Sequence, residues 1–163
     1  MSKIETIEGN LLDFPGEINC IAHSCNTLNI MGGGIAKQIK DRYPIAWRAD
    51  CDAKKYGFNI LGRYSAGFIK NKEGEITNKI YNMYTQSSIG SGVRVDYYEF
   101  ERAFSELNRH ISFHNPHTHK LGVPYKISCG LAGGDWKKIK SILEKIFCDS
   151  KVKLYIVKYK ENS

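Results

Sequence analysis

Apolar positions along this chain recur with two periods, one of two and one near three and a half, and segments of the two kinds alternate. Lys3 to Glu8 alternates weakly and stops at Gly9, which predicts a strand. Glu17 to Ala22 is a short apolar run and predicts a second strand, and Gly32-Gly33-Gly34 breaks the pattern. Ile35 to Tyr43 has helical spacing and is stopped by Pro44. A proline suits a first helical turn, so a second helix is predicted from Pro44 to Tyr56, ending at Gly57. Arg63 to Ile69 and Lys79 to Thr85 read as strands around the turn Asn71-Lys72-Glu73-Gly74. Tyr97, Phe100, Phe104 and Leu107 mark a long helix from about Asp96 to His110. A strand from Leu121 to Ser128, interrupted early by Pro124, precedes an amphipathic helix from Trp136 to Phe147, and Val152 to Tyr159 closes the chain as a strand.

Strands that alternate with helices pack as a largely parallel sheet with helices on both faces. The expected architecture is a three-layer α/β/α sandwich with a mixed, mostly parallel sheet. Residues 1–163 show no internal repeat or linker and read as one domain. Ligands of such sheets sit at the carboxyl ends of the strands. Two glycine-rich segments, Met31–Ala36 and Gly130–Gly134, each follow a strand and precede a helix, so both belong at that end.

Composition narrows the class. The 163 residues are 42% hydrophobic and 25% charged, ordinary for a globular domain. No apolar run is long enough to span a membrane, and the start of the chain lacks the apolar core of a signal peptide. A cytoplasmic location and no membrane partner are expected. The five cysteines include no C-x-x-C pair, which argues against a disulfide framework and a zinc ribbon. The net charge of +7 makes an anionic ligand plausible. The lysines are spread along the chain, so nucleic acid is not expected as the main partner.

Chemistry concentrates at the two glycine segments. In His23-Ser24-Cys25-Asn26-Thr27-Leu28-Asn29-Ile30-Met31-Gly32-Gly33-Gly34-Ile35-Ala36 the glycines let backbone approach a ligand, and the helix that follows offers unpaired N–H groups and its dipole. That combination suits a pyrophosphate. The segment is not a P-loop, because no Gly-Lys-Ser/Thr closes it, and it is not the G-x-G-x-x-G fingerprint. In Ser128-Cys129-Gly130-Leu131-Ala132-Gly133-Gly134-Asp135-Trp136 a strand again gives way to glycines and a helix, with Asp135 where an N-cap belongs.

These segments, together with Gly9-Asn10-Leu11-Leu12 and Tyr81-Asn82-Met83-Tyr84-Thr85-Gln86, come in an order that resembles the macrodomain family, in particular its branch with ADP-ribose-1″-phosphate phosphatases. The resemblance spans nearly the whole chain. It implies a ligand, ADP-ribose or ADP-ribose 1″-phosphate, and ADP-ribosylated macromolecules as further partners. It implies that Gly9, Asn10 and Leu11 lie toward the adenine, although many relatives carry Asp at the position of Asn10. It implies that Met31, Gly32, Gly33, Gly34 and Ile35 embrace the distal ribose and diphosphate, with Cys129, Gly130, Leu131, Ala132, Gly133 and Gly134 opposite. Asn26 corresponds to the family's asparagine at the distal ribose, and His23, Asp135 and Asn26 become the catalytic candidates.

Ester hydrolysis needs an activated water or nucleophile and a proton donor. His23 titrates near neutrality, Asp135 can orient water, and backbone N–H groups can stabilise the transferring phosphoryl group. Read by itself, His23 fits a satisfied histidine at a strand end better than a catalytic one, and Asp135 is equally a helix cap. A related branch uses a lysine and an aspartate to remove ADP-ribose from acidic side chains. Those positions fall at Gln86 and Ala132 here, so that mechanism is absent and Gln86 is left as a binding residue. A non-catalytic reader of ADP-ribose, or a hydrolase that removes it by another route, stays open. No cofactor is implied. His110, His114, His117 and His119 cluster in sequence without a joining cysteine or carboxylate, and no metal site is expected.

Overall fold

The computed structural model describes residues 4–87, 94–114, 119–130 and 132–160. Its strands are β1 (Ile4–Gly9), β2 (Cys20–Asn26), β3 (Tyr64–Lys70), β4 (Ile76–Gln86), β5 (Lys120–Pro124) and β6 (Lys153–Tyr159). Its helices are α1 (Gly34–Arg42), α2 (Pro44–Ala53), α3 (Tyr97–His114) and α4 (Trp136–Phe147). The strands form one sheet in the order β1-β6-β5-β2-β4-β3. All pairings are parallel except β3 with β4.

Both faces of the sheet are buried, and side chains alternate between them. Cys20, Ala22, Tyr81, Met83, Leu154 and Ile156 pack under α3 and α4. Ile21, Ile80, Tyr155 and Val157, one residue out of phase, pack under α1, α2 and a 3-10 turn at Leu11–Asp13. This is the α/β/α sandwich that the alternation of periods predicts. The α2 layer lies so close to β3 that a Cβ on Gly67 would come within 2.8 Å of Ala46 Cα. No helix among the described residues is long and apolar enough to cross a membrane.

Several boundaries differ from expectation. Strand β2 runs to Asn26 rather than Ala22, because its pairing with β4 continues through polar His23 and Ser24. Strand β5 ends at Pro124 rather than Ser128, since Lys126 and Ser128 take left-handed conformations, φ 59° and 64°, that leave the ladder. Helix α2 gives way after Ala53 to a 3-10 stretch, Lys54–Ile60, kinked at Gly57 with φ 55°. Helix α3 continues past His110 to His114.

Candidate functional site

The carboxyl ends of β2, β4 and β5 open into a cleft of about 640 Å³, within the range of small-molecule sites. One wall is the segment from Ile30 to Ala36, and the other runs from Pro124 to Ala132.

Two asparagines shape the first wall. Beyond a β-bulge between Cys25 and Asn26, the Asn26 amide clasps Ile30 from both sides. Its Nδ2 donates to Ile30 O at 2.9 Å, and its Oδ1 accepts from Ile30 N at 3.2 Å. Asn29 adopts the left-handed region, φ 59°, which its short amide tolerates. Its Nδ2 donates to Asp50 of α2, to the backbone O at 2.8 Å and to Oδ1 at 2.9 Å. The chain then passes through an extended Gly33 into α1. No side chain caps this helix and its first turn carries no acid. Its first N–H groups therefore face the cleft without intrahelical acceptors, backed by the helix dipole.

The second wall is held by backbone bonds within it. Ile127 N donates to Pro124 O, Cys129 N to Lys126 O, and Gly134 N to Ser128 O at 2.8 Å. A Cβ on Gly134 would lie 2.6 Å from Ser128 O, so a glycine is required there. Across the floor, the hydroxyls of Ser24 and Ser128 are hydrogen-bonded, which ties β2 to this loop.

The electrostatics of the lining are one-sided. Lys126 is its only charged side chain among the described residues, and no carboxylate faces the cavity. Cys25 reaches the wall, but burial, then the nearby Asp50, pushes its thiol well above the usual value. It is a neutral thiol rather than a nucleophile.

His23 does not reach the cleft, which corrects the expectation drawn from its place in the motif. It shares the face of Ile21 and projects into the α2 layer, with no solvent exposure. Its Nε2 lies 2.7 Å from Asn82 Oδ1. Asn82 Nδ2 donates to Ala46 O at 3.0 Å, a group that only accepts, so Oδ1 must receive the proton and His23 is the Nε2–H tautomer. Burial pushes the imidazole down to about 4, against the opposing effect of the Asn82 bond. At neutral pH it is an uncharged structural link.

Asp135 is the N-cap of α4, with Oδ1 accepting from Lys137 N at 2.9 Å, and it is solvent-exposed. The structure therefore does not bring His23 and Asp135 together. Asn26, Gly32, Gly33, Gly34, Ile35, Gln86, Gly130 and Ala132 do line the cleft. Cys129, Gly133 and Gly134 shape its loop without forming the wall, and Leu131 lies outside the described residues. Met31 is buried among Cys25, Ala53, Ile60 and Tyr84, and so supports the glycine loop from behind. Leu11 is core, Asn10 caps the turn at Leu12 N, and Gly9 ends β1. Sequence reasoning missed Ser24, Tyr125, Lys126 and Ser128 on the wall. Their position at the carboxyl ends of β2 and β5 was the available signal.

A second hollow, about 740 Å³, opens at the sheet edge between Tyr56, Arg63, Tyr64, Glu99 and Arg102. It mixes guanidinium and carboxylate groups and has no glycine loop, so the carboxyl-end cleft is the better candidate. The rings of His110 and His114 lie 4.6 Å apart, tilted by 54°, but no group of three or more potential metal ligands gathers among the described residues.

A mostly parallel sheet, two glycine loops at its carboxyl end and a cleft with no carboxylate among its described lining residues define an α/β protein whose cleft is compatible with an anionic ligand. The molecule has the macrodomain fold, as the sequence resemblance implied. It superposes on the macrodomain of Mycobacterium tuberculosis DarG with a TM-score of 0.76 at 23% identity, covering 98% of each chain. It matches Thermosipho africanus DarTG, solved in complex with ADP-ribose, with a TM-score of 0.76 at 16% identity, over 98% of this chain and 43% of that one. In sequence it is 28% identical to an ADP-ribose 1″-phosphate phosphatase of Saccharomyces cerevisiae, over 95% of this chain and 99% of that protein. No family model matches the chain.

Proposed function

We propose that this chain binds ADP-ribose in the carboxyl-end cleft and hydrolyses ADP-ribose 1″-phosphate to ADP-ribose and phosphate. The observation that carries the binding reading is the uncapped N-terminus of α1, turned into a cleft whose lining has no carboxylate among the described residues. A diphosphate there takes up N–H groups that nothing else satisfies. The ADP-ribose bound to the Thermosipho africanus neighbour supports the same reading.

The phosphatase reading is supported by the similarity to the yeast phosphatase over nearly all of both chains. In this reading water attacks the phosphorus, the bond from phosphorus to the C1″ oxygen breaks, and the water's proton passes to a carboxylate. Asp135, which follows the Gly133-Gly134 turn just outside the described lining, is the carboxylate assigned that role, and the departing ribose oxygen is protonated from solvent. His23 has no part in it. The test is release of inorganic phosphate from ADP-ribose 1″-phosphate together with calorimetry on ADP-ribose. Binding without release leaves the chain a reader of ADP-ribose, and absence of binding rejects the proposal. The burial of His23 and the cap role of Asp135 favour the reader as the second reading.

A further inference from the structure

Strands β5 and β6 run side by side, with Pro124 paired to Val157. The residues that leave them are therefore neighbours, and Tyr125 N donates to Val157 O at 2.9 Å. Lys158 follows Val157 directly, and its Nζ lies 5.1 Å from the centre of the Tyr125 ring. Lys126, in its left-handed conformation, puts its own Nζ 5.6 Å from the same centre. Trp136 packs edge-on to Tyr125 at 5.3 Å and holds the ring in place.

This arrangement is particular. Other lysines of the molecule sit over aromatic rings, but Tyr125 is the only ring among the described residues that carries two. The negative face of the ring attracts ammonium groups that would otherwise repel one another. Neither lysine has an ion-pair partner among the described residues, whereas Lys153 on the same strand as Lys158 and Lys160 just past its end pair with Glu5 and Glu8. Lys126 is also the one charged group on the cleft lining among the described residues, at its β5 end, away from Gln86 of β4.

Two cations without ion-pair partners, drawn to a ring that lines one end of a cleft with no carboxylate among the described residues, suit a compact anion. The geometry points to a second anion subsite: Lys126 and Lys158 hold a phosphate monoester that the ligand carries in addition to its diphosphate. The ligand class is an ADP-ribose that carries a further phosphate on one of its riboses. The inference rests on the cleft being the ADP-ribose site.

The test compares the wild-type protein with Lys126→Gln, Lys158→Gln and the double variant, which remove charge but keep side-chain length. Dissociation constants are measured for ADP-ribose, its 2′-phosphate and its 1″-phosphate, the last as KM where it is turned over. One phosphorylated form is expected to bind wild type about tenfold more tightly than ADP-ribose, the size that two exposed charges on one phosphate supply. The double variant should lose that advantage, so that it binds the phosphorylated form no more tightly than ADP-ribose, and the favoured form shows which ribose faces the pair. Equal binding of all three ligands, or an advantage that survives in the double variant, overturns the subsite and leaves the cleft reading standing. Failure of every ligand to bind overturns both.

Discussion

The imidazole of His23 donates from Nε2 to Oδ1 of Asn82 at 2.7 Å, and this bond is the first of a buried chain that ends at the ligand cleft. Asn82 Nδ2 donates to Ser65 Oγ at 3.0 Å, Ser65 and Tyr84 hydroxyls meet at 2.8 Å, and Tyr84 donates to Asp50 Oδ1 at 2.7 Å. Asp50 in turn holds Asn29 of the glycine loop. A residue that looks catalytic in the motif is thus part of the support behind the wall.

That role has a pH signature. Folded His23 stays neutral down to about pH 4, whereas in the unfolded chain it takes up a proton near its ordinary value of 6.5. Its contribution is complete above pH 6.5 and is lost as pH falls toward 4. Wild type should lose about 2–3 kcal/mol from this group between pH 7 and 4.5. Urea unfolding of wild type and His23→Gln at both pH values measures it. The variant should show the smaller pH dependence, and equal dependence would refute the buried-neutral assignment.

Asp50 predicts an unusual stabilising substitution. Its Oδ2 and the Oδ1 of Asn29 are both buried without a donor, and burial raises the Asp50 carboxyl above its usual value, with the bonds from Tyr84 and Asn29 opposing. The folded state resists ionisation, so stability is lost as pH rises through the folded value. Asp50→Asn removes that loss and supplies an N–H, and it should gain about 1–2 kcal/mol at pH 8 with little gain at pH 4. Asp50→Ala takes one acceptor each from Tyr84 and Asn29, which keep Ser65 and the backbone O of residue 50, and should cost about 1–3 kcal/mol. Thermal unfolding across pH reads both, and an Asp50→Asn protein less stable than wild type at pH 8 would refute the argument.

Gly33 separates binding from folding. Its backbone is extended, φ −154° and ψ 167°, which any residue adopts. Gly33→Glu should therefore fold with nearly the wild-type Tm, yet place a carboxylate among the α1 N–H groups. Affinity for ADP-ribose should fall at least about a hundredfold, as expected when a fixed anion takes the ligand's place. Calorimetry that finds wild-type affinity would remove the α1 N-terminus from the site.

Asp135 can be divided between its two roles by a cap-preserving change. Asp135→Ala should cost about 1 kcal/mol for the lost cap, and Asp135→Ser should recover most of it. If the carboxylate activates water, phosphate release falls about a hundredfold or more in both variants. If Asp135 only caps α4, Asp135→Ser keeps the wild-type rate.

Much of this molecule was legible along the chain, because the features concerned act locally. Gly32–Gly34 and Gly130–Gly134 mark sharp passages from strand to helix wherever they occur, and Pro44 starts a helix for reasons internal to its ring. The spacing of Ile139, Leu143 and Phe147 defines a buried helix face before any partner is known. From these the layered α/β fold and the two-loop cleft followed. What lay outside that reach depended on which element covers which face. His23 follows Ile21 at a spacing of two, but only the seating of α2 on that face, close enough to require Gly67, makes the position dry and inaccessible to a ligand. The gathering of Lys126 and Lys158 on one ring likewise depends on β6 lying beside β5, residues more than thirty apart brought together by the sheet order. Local sequence set where the backbone could turn and bind, and the packing of distant elements decided which side chains face the ligand and which face the core.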